Sequence, residues 1–133
     1  IRQEAVGNMA SATSVYPVVR EKLVELQRQL AARENVVMDG RDIGTVVLPD
    51  ANVKIFLTAS SKVRAKRRFD ELTAKGESCD IDAIEKDIIE RDHRDMTRET
   101  SPLKQADDAV LLDSSDMTID EVVDKMKQLV KEA

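Results

Sequence analysis

Three short runs of β-branched and aliphatic residues, separated by helical patterns, constrain the fold of this chain more than any other feature. They are "VVMD" (36–39), "VKIFLTA" (53–59) and "AVLLD" (109–113). Each is too short for a packed helix and shows little alternation of apolar with polar residues, as expected of strands covered on both faces. From Pro17 to Arg33 apolar residues fall at Val19, Leu23, Leu26 and Leu30, the 4-3-4 spacing of one helical face. Pro17 suits the first turn, where its missing N–H does no harm. Residues 60–75 read as a second helix, with Ala65, Phe69 and Leu72 on one side and Gly76 as its stop. Asp80 can cap a third, running to about Arg98. "TIDE" (118–121) is a capping box that opens a last helix, with Ile119, Val122, Met126 and Leu129 inward. Helices alternating with buried strands predict an α/β layered domain around a parallel sheet.

Length allows one domain that buries roughly two-thirds of its unfolded surface. Apolar residues are 41% of the chain and Trp is absent, so the core must rest on Val, Ile and Leu. Nothing approaches the roughly 18 consecutive apolar residues of a membrane span. No basic-then-apolar stretch opens the chain, so export is not expected. The single Cys79 cannot form an internal disulfide, which fits a reducing cytosol. The net charge of −5 argues against a general nucleic-acid binder, because that affinity comes from clustered Lys and Arg. The opening "IRQEAVGNMAS" starts in mid-flow with Ile1, so a piece of a longer protein is expected.

Ligands of open parallel sheets bind at the carboxyl ends of strands. "DGRD" (39–42) stands at such an end, with two carboxylates and a guanidinium around Gly40. It can be a plain turn, in which Asp39 bonds nearby N–H groups and Arg41 pairs with Asp42. Alternatively Arg41 reaches a phosphate while Asp42 accepts a hydrogen bond from a ligand. The helix "DAIEKDIIERDHRDMTR" offers a second clue. Its stripe of Ile81, Ile84 and Ile88 continues at the same spacing into Arg91, Asp95 and Arg98. Either the stripe drifts to Ile89 and Met96, leaving Arg91 and Asp95 as an ordinary i, i+4 pair, or the helix leans its last turns over an anionic cleft. The basic cluster "RAKRR" (64–68) is a solvated face or a phosphate contact. His93 is the only histidine, and no Cys/His spacing suits a zinc site.

Taken together, "VVMDGRDIGTVVLPDANVKIFLTAS", "RAKRR" and "ERDHRDMTRETSPLKQADDAVLLDS" closely resemble the bacterial cytidylate kinases, nucleoside-monophosphate kinases acting on CMP and dCMP. The resemblance runs from about Ile1 to Leu129. It implies a partial P-loop kinase-type sheet flanked by helices, with a mobile lid at about 70–95. By the same resemblance Ser11, Arg20 and Asp42 match residues that read cytosine. Arg91 and Asp95 match residues holding the ribose hydroxyls, and Arg41 and Arg98 match arginines on the CMP phosphate. Arg41, Arg91 and Arg98 would form the catalytic set, and Arg67 looks like an arginine on the ATP side. ATP as co-substrate, Mg²⁺, a cytoplasmic location and a monomer when complete follow from the family, with no nucleic acid or membrane as partner.

One departure is large. Kinases of this class cradle ATP phosphates in a G-x-x-x-x-G-K-[ST] loop, but the four glycines here precede Asn8, Arg41, Thr45 and Glu77. The chain therefore resembles a carboxyl-terminal portion lacking the P-loop, its strand and most of the CMP-binding insert. Its sheet is expected to miss a central strand, and the chain alone to be inactive. A non-catalytic nucleotide-binding or interaction module is the alternative.

Overall fold

The computed structural model describes residues 16–99 and 101–133, together with a helix over 4–13 in which side chains are described at 5, 6, 9, 12 and 13. The chain divides into two units, residues 1–51 with 94–104, and residues 52–93 with 105–133.

The first unit holds α1 (Glu4–Thr13), α2 (Pro17–Arg33), a π-helical turn (Ile43–Val47) and the last turn of α4 (Ile81–Thr97). Helix α2 has the bounds its sequence predicts, with proline in its first turn. Its inward stripe, however, is displaced by one residue. Val19, Leu23, Leu26 and Leu30 are exposed, whereas Arg20 is buried and Val24, Gln27 and Ala31 are half-buried. The cause is polar. Arg20 pairs with Asp42, and Arg28 reaches the carbonyls of Val46 and Val47, which turns this side of the helix toward the π turn.

The run "VVMD" is not a strand. Residues 35–39 carry no ladder, and Val37 is fully exposed. A strand exists only through hydrogen bonds to a neighbour, and among the described residues none lies beside this run.

The second unit is built on two parallel strands, β1 (Ile55–Thr58) and β2 (Val110–Asp113), in register from Ile55 opposite Val110 to Thr58 opposite Asp113. They are flanked by α3 (Ser61–Ala74), the first turns of α4, and α5 (Ile119–Glu132). This is a partial P-loop kinase-type sheet. Expected to be covered on both faces, it instead leaves Leu57, Val110 and Leu111 exposed, because two strands offer too little surface to be sandwiched. The buried apolar residues of this unit are Ala59, Ala65, Leu72 and Leu112.

Local chemistry sets the helix ends. Ser60 caps α3, its side chain accepting from Val63 N–H at 3.2 Å. Gly76 (φ +78°) closes α3, with Gly76 N–H donating to Thr73 O and Glu77 N–H to Leu72 O, the paired bonds of a Schellman motif. Asp80 Oδ1 accepts from Asp82 N–H at 3.0 Å at the start of α4. Thr118 Oγ1 accepts from Glu121 N–H at 3.2 Å at the start of α5. Of the inward set expected on α5, Val122, Met126 and Leu129 are half-buried, but Ile119 is 82% exposed. The first residue after a cap lies beyond the packed length of the helix.

Candidate functional site

The first unit gathers three arginines and two aspartates. Asp42, which ends the "DGRD" turn, is buried and bonded to Arg20 Nη2. Arg41 Nε donates to Asp95 Oδ2 at 3.0 Å. Arg98 Nη1 stands 3.9 Å from Asp95 Oδ1. One carboxylate, 2% exposed, therefore meets both Arg41 and Arg98, one through each oxygen. Asp95 also anchors the chain beyond the helix, its carbonyl accepting from Leu103 N–H at 2.8 Å.

Helical spacing explains why Asp95 is inward. Ile84, Ile88, Arg91 and Arg98 are half-buried and Asp95 is buried, while Ile89 and Met96 are exposed. The stripe thus continues through its polar half and does not drift. Burying a carboxylate is costly unless it is paired, and the two guanidiniums supply the pairing.

The turn bearing Arg41 and Asp42 is tightly constrained. A Cβ added at Gly40 would lie 2.9 Å from Ile43 Cγ1, closer than real contacts allow. Beyond it, Asp42 O accepts from Val46 N–H at 2.9 Å and from Val47 N–H at 3.2 Å, and Ile43 O accepts from Leu48 N–H at 2.7 Å. The i→i+5 bonds make this a π turn, a rare form that concentrates at functional sites. Sequence periodicity gave no sign of it.

Charge in this cluster is unbalanced: three guanidiniums face two carboxylates. Burial, then the Arg20 guanidinium, pulls Arg98 below the ordinary arginine value; Asp95 and Asp42 raise it, and Arg41 lowers it. Arg98 Nε donates to Ser101 O at 2.8 Å, and Ser101 holds φ 49°, a left-handed conformation that costs a residue with a side chain about 1–2 kcal/mol. Arg41 is different in exposure. Its side chain is 42% exposed, and its two Nη nitrogens make no hydrogen bond to a described residue. A fork of donors beside a cationic surplus is suited to an oxyanion.

The other expected site residues lie as follows. Arg91 belongs to the second unit, one helical turn before Asp95 on α4. Arg67, also in the second unit, donates from Nη2 to Ser114 O at 2.5 Å and from Nη1 to Ser114 Oγ at 3.3 Å. Of its neighbours in "RAKRR", Arg64 bonds Asp92, Lys66 bonds Asp70 and Arg68 bonds Glu71. Ser11 falls outside the described residues. Among the described residues, no group of three or more His, Cys, Asp and Glu could hold a metal ion, and no helix is long and apolar enough to cross a membrane. Sequence reading missed Arg28 and Ser101.

The cytidylate kinase family model matches residues 1–132. The chain is also 55% identical over 127 residues to the cytidylate kinase of Streptococcus pneumoniae (strain Hungary19A-6), covering 96% of this chain and 57% of that protein. The cytidylate kinases of strains JJA and Taiwan19F-14 match with the same identity and coverage. The chain thus spans 57% of the length of these curated relatives. On this agreement along nearly its whole length, the chain belongs to the cytidylate kinase family.

Proposed function

We propose that the complete protein containing this chain transfers the γ-phosphoryl group of ATP to CMP or dCMP, giving CDP or dCDP. The observation that carries this reading is the meeting of Arg41 and Arg98, from separate segments, on the buried carboxylate of Asp95. In the reading, these two arginines grip the nucleotide phosphate, and Arg91 with Asp95 holds the ribose hydroxyls. Ser11, Arg20 and Asp42 read the base. Cytosine offers an amino donor to a carboxylate, and its ring acceptors suit a guanidinium. Uracil puts a carbonyl oxygen where the amino group stood, turning an acceptor instead of a donor toward the carboxylate of Asp42, and mispaired buried polar groups are what give such discrimination.

Phosphoryl transfer asks mainly for in-line positioning and for cations around the spreading charge. Arg41, Arg91 and Arg98 supply the cations on the acceptor side, and Arg67 is assigned to the ATP side. Mg²⁺, when bound, would neutralise phosphate charge. A lid at about 70–95 would close to exclude water, which otherwise takes the phosphoryl group. A cytoplasmic enzyme of pyrimidine nucleotide metabolism, acting as a monomer, completes the reading.

A coupled assay of ADP release tests it. The full-length protein is expected to turn over CMP and dCMP with ATP, and the 133-residue chain to show no turnover, since it contains no Gly-Lys pair with which to cradle ATP. A full-length protein that binds CMP without converting it would support a binding module instead, the reading that the same missing pair favours. Conversion by the 133-residue chain would contradict the assignment of ATP binding to a P-loop outside it.

A further inference from the structure

Arg28 has no part in the reading above, yet it is tied to the site. It follows Arg20 by eight residues on α2, about 2.2 helical turns, and so stands roughly 80° around the helix from it. Its Nε donates to Val47 O at 2.9 Å and its Nη2 to Val46 O at 2.6 Å. These are carbonyls at the end of the π turn, where a helix leaves acceptors without internal donors. The amides of the same two residues both donate to Asp42 O. Val46 and Val47 therefore connect Arg28 to the backbone of Asp42, while Arg20 holds the Asp42 carboxylate. Helix α2 grips the turn at two points, one at each end.

We propose that Arg28 is a positioning residue, whose planar guanidinium fixes the π turn and thereby sets where Asp42 and the adjoining Arg41 stand. The inference rests on the proposed CMP site for its consequence, but not for the contact itself. A π turn has poorer hydrogen-bond geometry than an α-helix and depends on its surroundings. Two coplanar donors from one side chain suit two successive carbonyls, whereas lysine offers one point charge. Displacing a binding group by about 1 Å can cost on the order of 10²-fold in rate.

The test uses Arg28→Ala and Arg28→Lys in the full-length protein, with two readouts. Amide hydrogen exchange is expected to accelerate at least about tenfold at Val46, Val47 and Leu48 in Arg28→Ala, with the amides of α3 and α5 unchanged, since a lost tether opens the turn locally. Steady-state kinetics are expected to show kcat/KM for CMP reduced about 10- to 100-fold, the preference for CMP over UMP narrowed, and KM for ATP unchanged. Arg28→Lys should fall between wild type and alanine in both readouts, and it decides the matter if the alanine variant does not fold. Unchanged exchange at 46–48 overturns the proposal, as does an unaltered kcat/KM for CMP, while an equal loss for CMP and UMP supports it through Arg41. Accelerated exchange in a protein whose wild type does not phosphorylate CMP leaves the positioning role standing and overturns the proposed function instead.

Discussion

Arg98→Ala in the full-length protein is expected to lower kcat for CMP by about 10³- to 10⁵-fold, the range over which a transition-state arginine acts in phosphoryl transfer, while the protein stays folded. The residue is placed to have so large an effect. Its side chain is only 6% exposed, so its charge works where water screens little. Its Nε is fixed on the Ser101 carbonyl and its Nη1 faces the Asp95 carboxylate, so the guanidinium is held in one orientation. Loss of a group that acts on the moving charge lowers kcat and kcat/KM together, whereas loss of uniform binding raises KM alone. Turnover within about tenfold of wild type would remove Arg98 from the catalytic set. Arg98→Lys should recover little, since an ammonium cannot reproduce the fork.

The largest effect on stability is expected at Asp95. Its carboxylate serves Arg41 and Arg98 while almost wholly buried, and removing one partner of a buried ion pair costs about 3–5 kcal/mol because the other charge is left uncompensated. Asp95→Ala should fall at the lower end of that range, since Arg41 is partly solvated and Arg98 keeps its bond to Ser101. A urea titration of full-length protein reads this as a lowered midpoint with little change in slope. Asp95→Asn keeps the volume and removes the charge, so it should lie between wild type and alanine. Equal midpoints for all three would mean that the carboxylate does not hold the cluster together.

Both predictions concern residues that the sequence marked. Asp95 and Arg98 were visible because a 3-4 spacing of isoleucines continued into charge, and a helical stripe keeps its direction whether its residues are greasy or not. Caps and stops were legible for a similar local reason: Pro17, Gly76 and the "TIDE" box need only their own neighbours. What failed depended on surfaces farther away. The leucines of α2 have the right spacing for a buried face, yet the described residues place the Arg20 side inward, because Asp42 and the π turn bond to it. The run "VVMD" has strand composition, but composition does not supply the neighbouring strand that makes a ladder. The π turn left no trace in periodicity, since five residues of "IGTVV" are too few to establish any period. Exposed Leu57, Val110 and Leu111 show the same limit from the other side, being residues suited to cover that a two-stranded sheet does not give.

The central claim is that Arg41 and Arg98 converge on a nucleotide phosphate. Calorimetric titration of full-length protein with CMP and with cytidine, in wild type and in Arg98→Ala, isolates the phosphate. The affinity difference between the two ligands should shrink by at least tenfold in the variant, while affinity for cytidine itself stays near the wild-type value. An undiminished difference would mean that Arg98 does not meet the phosphate.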